Sequence, residues 1–74
     1  MDIVLEWASG EVVAIEVKST TSVRPENLRG LRYLRDRLGD RFKAGIVLNT
    51  GSRTLPFGDR IAAVPLTALW SNLE

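Results

Sequence analysis

The chain has no cysteine and no histidine among its 74 residues. Without cysteine there is neither a disulfide framework nor a thiolate zinc site. Without histidine the commonest metal ligand and general base is missing. Any metal must therefore be held by oxygens, which points to Mg²⁺ or Mn²⁺ rather than Zn²⁺. Long apolar runs are also lacking: no stretch approaches the roughly 18 residues of a membrane span, and no basic segment followed by an apolar one marks a signal peptide. The expected compartment is the cytoplasm. No Gly-rich loop ending in Lys-Ser or Lys-Thr is present, so no nucleotide site is visible. Neither charge dominates, with 10 Lys and Arg against 9 Asp and Glu, and there is no internal repeat.

What remains is a globular composition, 45% hydrophobic, sufficient for one domain over residues 1–74. A chain this short buries only about 60% of the surface its unfolded form exposes. Below roughly 70–80 residues a lone core supplies only a few kcal/mol, so a homodimer is expected.

Residues 2–7 and 11–18 are rich in β-branched side chains and are separated by Ala8-Ser9-Gly10, the pattern of a β-hairpin. A polar linker, 19–23, leads to Pro25, which suits the first turn of a helix because its missing N–H would be unpaired there. Leu28, Leu31, Leu34 and Leu38 recur at helical spacing and Gly39 stands at a capping position, so an amphipathic helix is expected over 25–38. The run from Phe42 to Asn49 reads as a buried strand, and a helix crossover places it parallel to 11–18. Residues 50–59 read as a loop, 61–64 as a short final strand, and Pro65 as the start of a C-terminal helix. Gly30, inside the helix, suggests close approach of another backbone, with the sheet as the candidate neighbour.

Side chains alternate along a strand, so Glu16 and Lys18 share one face while Val13, Ile15 and Val17 share the other. If Trp7 and Glu11 close the turn, every opposed pair has the same index sum and Asp2 falls opposite Glu16, with Cβ atoms roughly 5 Å apart. Two carboxylates that close repel unless a cation lies between them. Asp2 and Glu16 are thus candidate ligands for Mg²⁺ or Mn²⁺, with Lys18 placed to orient or deprotonate a water or to neutralise charge on a phosphate.

Asp2 followed by Glu16-Val17-Lys18 resembles the PD-(D/E)XK nuclease superfamily, in which an Asp opens one strand and Glu-x-Lys lies on the next. Asp-Ile-Val-Leu-Glu, Val-Val-Ala-Ile-Glu-Val-Lys and Arg-Pro-Glu-Asn-Leu-Arg-Gly-Leu look more closely like the C-terminal domain of unknown function attached to bacterial and archaeal AAA-type ATPases. The resemblance covers nearly the whole chain. It implies an α/β fold with a restriction-endonuclease-like mixed sheet, and Asp2, Glu16 and Lys18 as catalytic residues. It also implies a core similar to α-β-β-β-α-β, of which this chain begins at the second strand, a truncated nuclease-like domain.

Arg24, Arg29, Arg32, Arg35, Arg37 and Arg41 cluster in one short stretch. Either they form a solvated helix face partnered by Glu26, Asp36 and Asp40, or Arg24, Arg29 and Arg32 meet nucleic-acid phosphates. The run Ser19, Thr20, Thr21 and Ser22, beyond the end of the second strand, offers hydroxyls to a phosphate or simply leads into the helix with Ser22 or Thr21 as a cap. Trp7 and Trp70 read as core or interface anchors. The expected activity is metal-dependent hydrolysis of DNA phosphodiesters. The competing readings are a non-catalytic nucleic-acid-binding or protein-docking module, and a structural dimer in which a second copy covers an exposed sheet edge.

Overall fold

A three-residue turn sets the first half of the structure. In the computed structural model, which describes residues 2–69, the Trp7 N–H donates to the Glu11 carbonyl and the Gly10 N–H to the Trp7 carbonyl, each at 2.9 Å. Gly10 takes φ 91°, a left-handed conformation that a Cβ would oppose. The flanking strands, β1 (Ile3–Glu6) and β2 (Val12–Val17), pair antiparallel with Ile3 against Ile15 and Glu6 against Val12. This is the register expected from the turn.

Beyond the linker the chain winds as a 3-10 helix over Pro25–Leu28 and then as α1 (Arg29–Leu38). The helical segment expected over 25–38 is therefore present, with a tighter first turn. Its start is tied by the Asn27 side-chain oxygen, which accepts from the Arg24 N–H at 2.9 Å. Its end is Gly39, at φ 58°, whose N–H returns to the Arg35 carbonyl. β3 (Phe42–Asn49) runs parallel to β2, and β5 (Ile61–Pro65) parallel to β3. Residues 50–59, expected to be loop throughout, also contain β4 (Leu55–Pro56), antiparallel to β5. The mixed sheet has the order β1-β2-β3-β5-β4. Pro65 closes β5 rather than opening a helix, and a short helical turn follows at 67–69. Trp70 lies outside the described residues.

α1 and the preceding turn pack on one face of the sheet. Leu28 and Leu31 are fully buried over Ala14, Phe42, Val47 and Ile61, with Leu34 and Leu38 at the margin. Close approach is permitted by Gly45 of β3: a Cβ there would lie 2.8 Å from the Phe42 ring and 3.2 Å from Leu31. Gly30, expected to meet the sheet, is instead exposed. The small residue that the packing requires is on the strand, not the helix.

The helix-covered face is the one that carries Val12 and Ala14, and by alternation Glu16. The opposite face begins with Ile3 and Leu5 on β1 and Val13, Ile15 and Val17 on β2. It continues through Ala44, Ile46 and Leu48 on β3 to Ala62 and Val64 on β5. All of these are half-buried or exposed, and no described element covers them. The molecule is only 19 Å thick along its shortest axis, against 32 and 31 Å along the others, as fits one helix layer on one sheet.

Arg60 ties the end of α1 to the far side of the sheet. Its guanidinium donates to both Asp59 carboxylate oxygens (3.0 and 2.9 Å), to the Gly39 carbonyl (2.9 Å) and to the Phe42 carbonyl. It also lies 5.6 Å from the centre of the Phe42 ring. The hydrogen bond from Arg60 holds the Asp59 carboxyl below its ordinary value, with the charges of Arg60 and Arg35 acting in the same direction and burial opposing.

Two outcomes are expected. Gly45→Ala forces the new methyl against a buried ring and costs about 1–3 kcal/mol, read by urea unfolding; an unchanged midpoint would remove the close-approach argument. Because the folded Asp59 carboxyl is depressed, its contribution is present above the ordinary carboxylate range and lost as pH falls through the folded value. The melting-temperature gap between wild type and Asp59→Asn should therefore be widest near neutrality and close in acid. A gap independent of pH would contradict the assignment.

Candidate metal and phosphate site

The β1–β2 ladder runs from Glu6 opposite Val12 to Ile3 opposite Ile15, and Asp2 lies just beyond it. Asp2 is exposed, and its Oδ2 accepts a 2.7 Å hydrogen bond from the backbone N–H of Val17. That bond draws the carboxylate against β2 at the residue next to Glu16 and leaves its second oxygen without a partner among the described residues. Glu16 is half-buried on the helix side of the sheet. Lys18, on the same face by alternation, is also half-buried, and its N–H donates to the Leu48 carbonyl at 2.8 Å, so its backbone still follows β3. The three residues thus come from the open end of β1 and the C-terminal end of β2, one strand in from the sheet edge.

The remaining predicted residues are not gathered with them. Ser19 is exposed. The Thr20 hydroxyl is engaged within its own turn, accepting from the Ser22 N–H and donating to the Ser22 carbonyl, each at 3.1 Å. Arg29 and Arg32 line a separate shallow cleft of about 320 Å³ with Pro25 and Glu26. Arg24 precedes it in the chain, contributing its N–H and its carbonyl to the 3-10 turn. The arginine cluster divides by role. Arg35 pairs with Asp36 at 3.1 Å, and Arg41 reaches the Gly10 carbonyl at 2.9 Å and Glu6 at 3.6 Å. The guanidiniums of Arg24, Arg29 and Arg32 have no partner among the described residues.

A second cleft, about 360 Å³, takes in Thr21 and Ser22 from the hydroxyl run that follows the second strand. Its lining also includes Asn49, Gly51, Ser52 and Arg53. It sits at the C-terminal ends of the parallel strands, where open α/β sheets commonly receive ligands. Asn49 shapes it: almost wholly buried, it donates to the Val47 and Val64 carbonyls at 3.2 Å and accepts from the Gly51 N–H at 2.8 Å. The sequence signal was a polar Asn closing an apolar strand just before a glycine. That signal marks a strand terminus as readily as a cleft.

Among the described residues, no group of three or more His, Cys, Asp or Glu is arranged to hold a metal, and no helix is long and apolar enough to cross a membrane. The model of one family, described as Domain of unknown function (DUF4143), matches residues 1–69. Neither the curated proteins nor the solved structures contain a match to the chain.

Proposed function

The chain belongs to the DUF4143 family, and for it we propose a nuclease-type divalent-cation site with Asp2 and Glu16 as oxygen ligands and Lys18 facing a phosphate. The observation that supports this reading is the hairpin register, with Ile3 opposite Ile15, together with the Asp2 carboxylate held by the N–H of Val17, the residue next to Glu16. Two carboxylates suit Mg²⁺ or Mn²⁺, ions that take one or two protein carboxylates and fill the remaining shell with water and substrate phosphate. A bound ion supplies Lewis acidity and a more acidic water. The protein's part is placement. Val17 holds the Asp2 carboxylate through its N–H, β2 presents Glu16 and Lys18 from one face, and the Lys18 ammonium offsets negative charge that builds on the phosphate. The substrate class is DNA phosphodiesters, on a PD-(D/E)XK-like scaffold. The likeness to ATPase-linked domains adds a setting in which an attached motor brings DNA to the site.

Mn²⁺ titration by backbone NMR tests the site. Paramagnetic broadening should centre on residues 2–4 and 15–19 and vanish in Glu16→Ala. Plasmid cleavage should then fall about 10²- to 10⁴-fold in Lys18→Ala with the broadening retained. Broadening that persists in Glu16→Ala sinks the cation site, and cation binding with no cleavage by the wild type sinks the hydrolase.

A second reading, DNA binding without cleavage, is favoured by the unpartnered guanidiniums of Arg24, Arg29 and Arg32. Each phosphate contact contributes about 0.9 to the slope of log affinity against log salt. Replacing Arg29 and Arg32 together by Ala should therefore lower that slope by about two while Glu16→Ala leaves it unchanged. An unaltered slope in the double variant would exclude the arginines as phosphate contacts.

A further inference from the structure

The sheet has one covered face and one bare one, and the bare face is the larger anomaly. Leu5, Ile15 and Val17 on the hairpin, Ile46 and Leu48 on β3 and Val64 on β5 point away from α1, and the charges on this side, Lys43 at the start of β3 and Glu11 at the turn, lie at its margin and pair with each other at 3.5 Å. Ile3, Leu5 and Val17 are 45%, 46% and 46% exposed, and Trp7, at the turn that ends the hairpin, is 51% exposed. Scattered exposed apolar residues are ordinary, but a contiguous apolar sheet face marks an interaction surface.

We propose that this face is covered by the same face of a second copy of the chain, giving a four-layer helix-sheet-sheet-helix dimer. The area supports a copy as the occupant. Five strands about 4.8 Å apart and about 17 Å of strand length make roughly 400 Å² of flat face. Two such faces pressed together remove about 1,000 Å² of accessible surface once side-chain relief is included, which reaches the threshold of about 1,000 Å² for a specific interface. Composition supports it as well. A face whose centre is apolar, and whose marginal charges Lys43 and Glu11 neutralise each other, meets its own image without net like-charge repulsion, and two twisted sheets stack with strands about 30° apart and about 10 Å between them. The need is also internal: among the described residues α1 and one sheet face supply a core of eight buried hydrophobic residues, and packing the bare faces adds a second core between the copies.

The dimer is independent of the proposed cation site. Glu16 and Lys18 belong to the helix side of β2, so the two sites point outward from opposite layers, and loss of one property leaves the other intact.

Val4 and Leu5 provide the test. They are neighbours on β1 with similar exposure, 50% and 46%. Val4 lies opposite Ala14 on the helix side and Leu5 opposite Val13 on the bare side. In sedimentation equilibrium the 74-residue chain should run as a dimer. Leu5→Lys should weaken the dimer at least 30-fold while Val4→Lys leaves it unchanged, and the melting temperature of the wild type should rise with concentration. Val17→Lys should repeat the Leu5→Lys result. A wild-type chain that is folded and monomeric at about 100 µM, with a melting temperature independent of concentration, overturns the proposal and assigns the face to a different partner. So does a dimer weakened equally by Val4→Lys and Leu5→Lys.

Discussion

Two backbone hydrogen bonds, from the Trp7 N–H to Glu11 and from the Gly10 N–H to Trp7, decide what each side of this protein is made of. They fix the hairpin register, and a strand shifted by one residue exchanges its two faces completely. Here that choice places Val12, Ala14 and Glu16 toward α1 and Val13, Ile15 and Val17 away from it. β3 and β5 then follow β2 in parallel register, so the decision made at the turn is transmitted across the sheet. The hydrogen bond from the Val17 N–H to Asp2 at the mouth of the hairpin and the apolar reverse of the sheet are two results of one constraint.

The same constraint explains why much of the fold was legible. The hairpin could be read because strand periodicity is two and a glycine-containing connector leaves few ways to close. The helix could be read because four leucines recur at intervals of three and four, and β3 because five apolar or small residues lie together in a chain otherwise well dispersed in polarity. The misses have equally local reasons. β4 is two residues long and includes a proline, so it has no periodicity to detect. Pro65 ends a strand as easily as it begins a helix, and only the pairing of Asn49 with Pro65 decides between them. Gly30 carried a correct idea at the wrong residue: the tight contact is made by Gly45 against Phe42 and Leu31, a meeting of residues distant in sequence.

Less of the candidate site was legible. The pairing of Ile3 with Ile15 beside it followed from counting. The bond between the Asp2 carboxylate and the Val17 N–H did not, because a side chain that extends a ladder in place of a backbone carbonyl leaves no trace in residue pattern. That bond gives Asp2 a role in holding the hairpin mouth closed. The division of the arginines was also hidden: Arg35, Arg41 and Arg60 are spent on carbonyls and carboxylates of the fold itself, whereas Arg24, Arg29 and Arg32 are not.

The two borders of the sheet are unlike. β4 ends it with two residues, one of them Pro56, which withholds a donor from any strand added there. β1 is longer and has no proline, but carboxylates flank it: Asp2 precedes Ile3 and Glu6 is its last residue. A second β1 laid antiparallel about Val4 would set Asp2 of each copy against Glu6 of the other, and like charges directly opposed disfavour pairing. Lateral growth is thus blocked by missing donors on one side and by charge on the other. A chain with so much bare apolar sheet is protected by these means from elongating into a fibre.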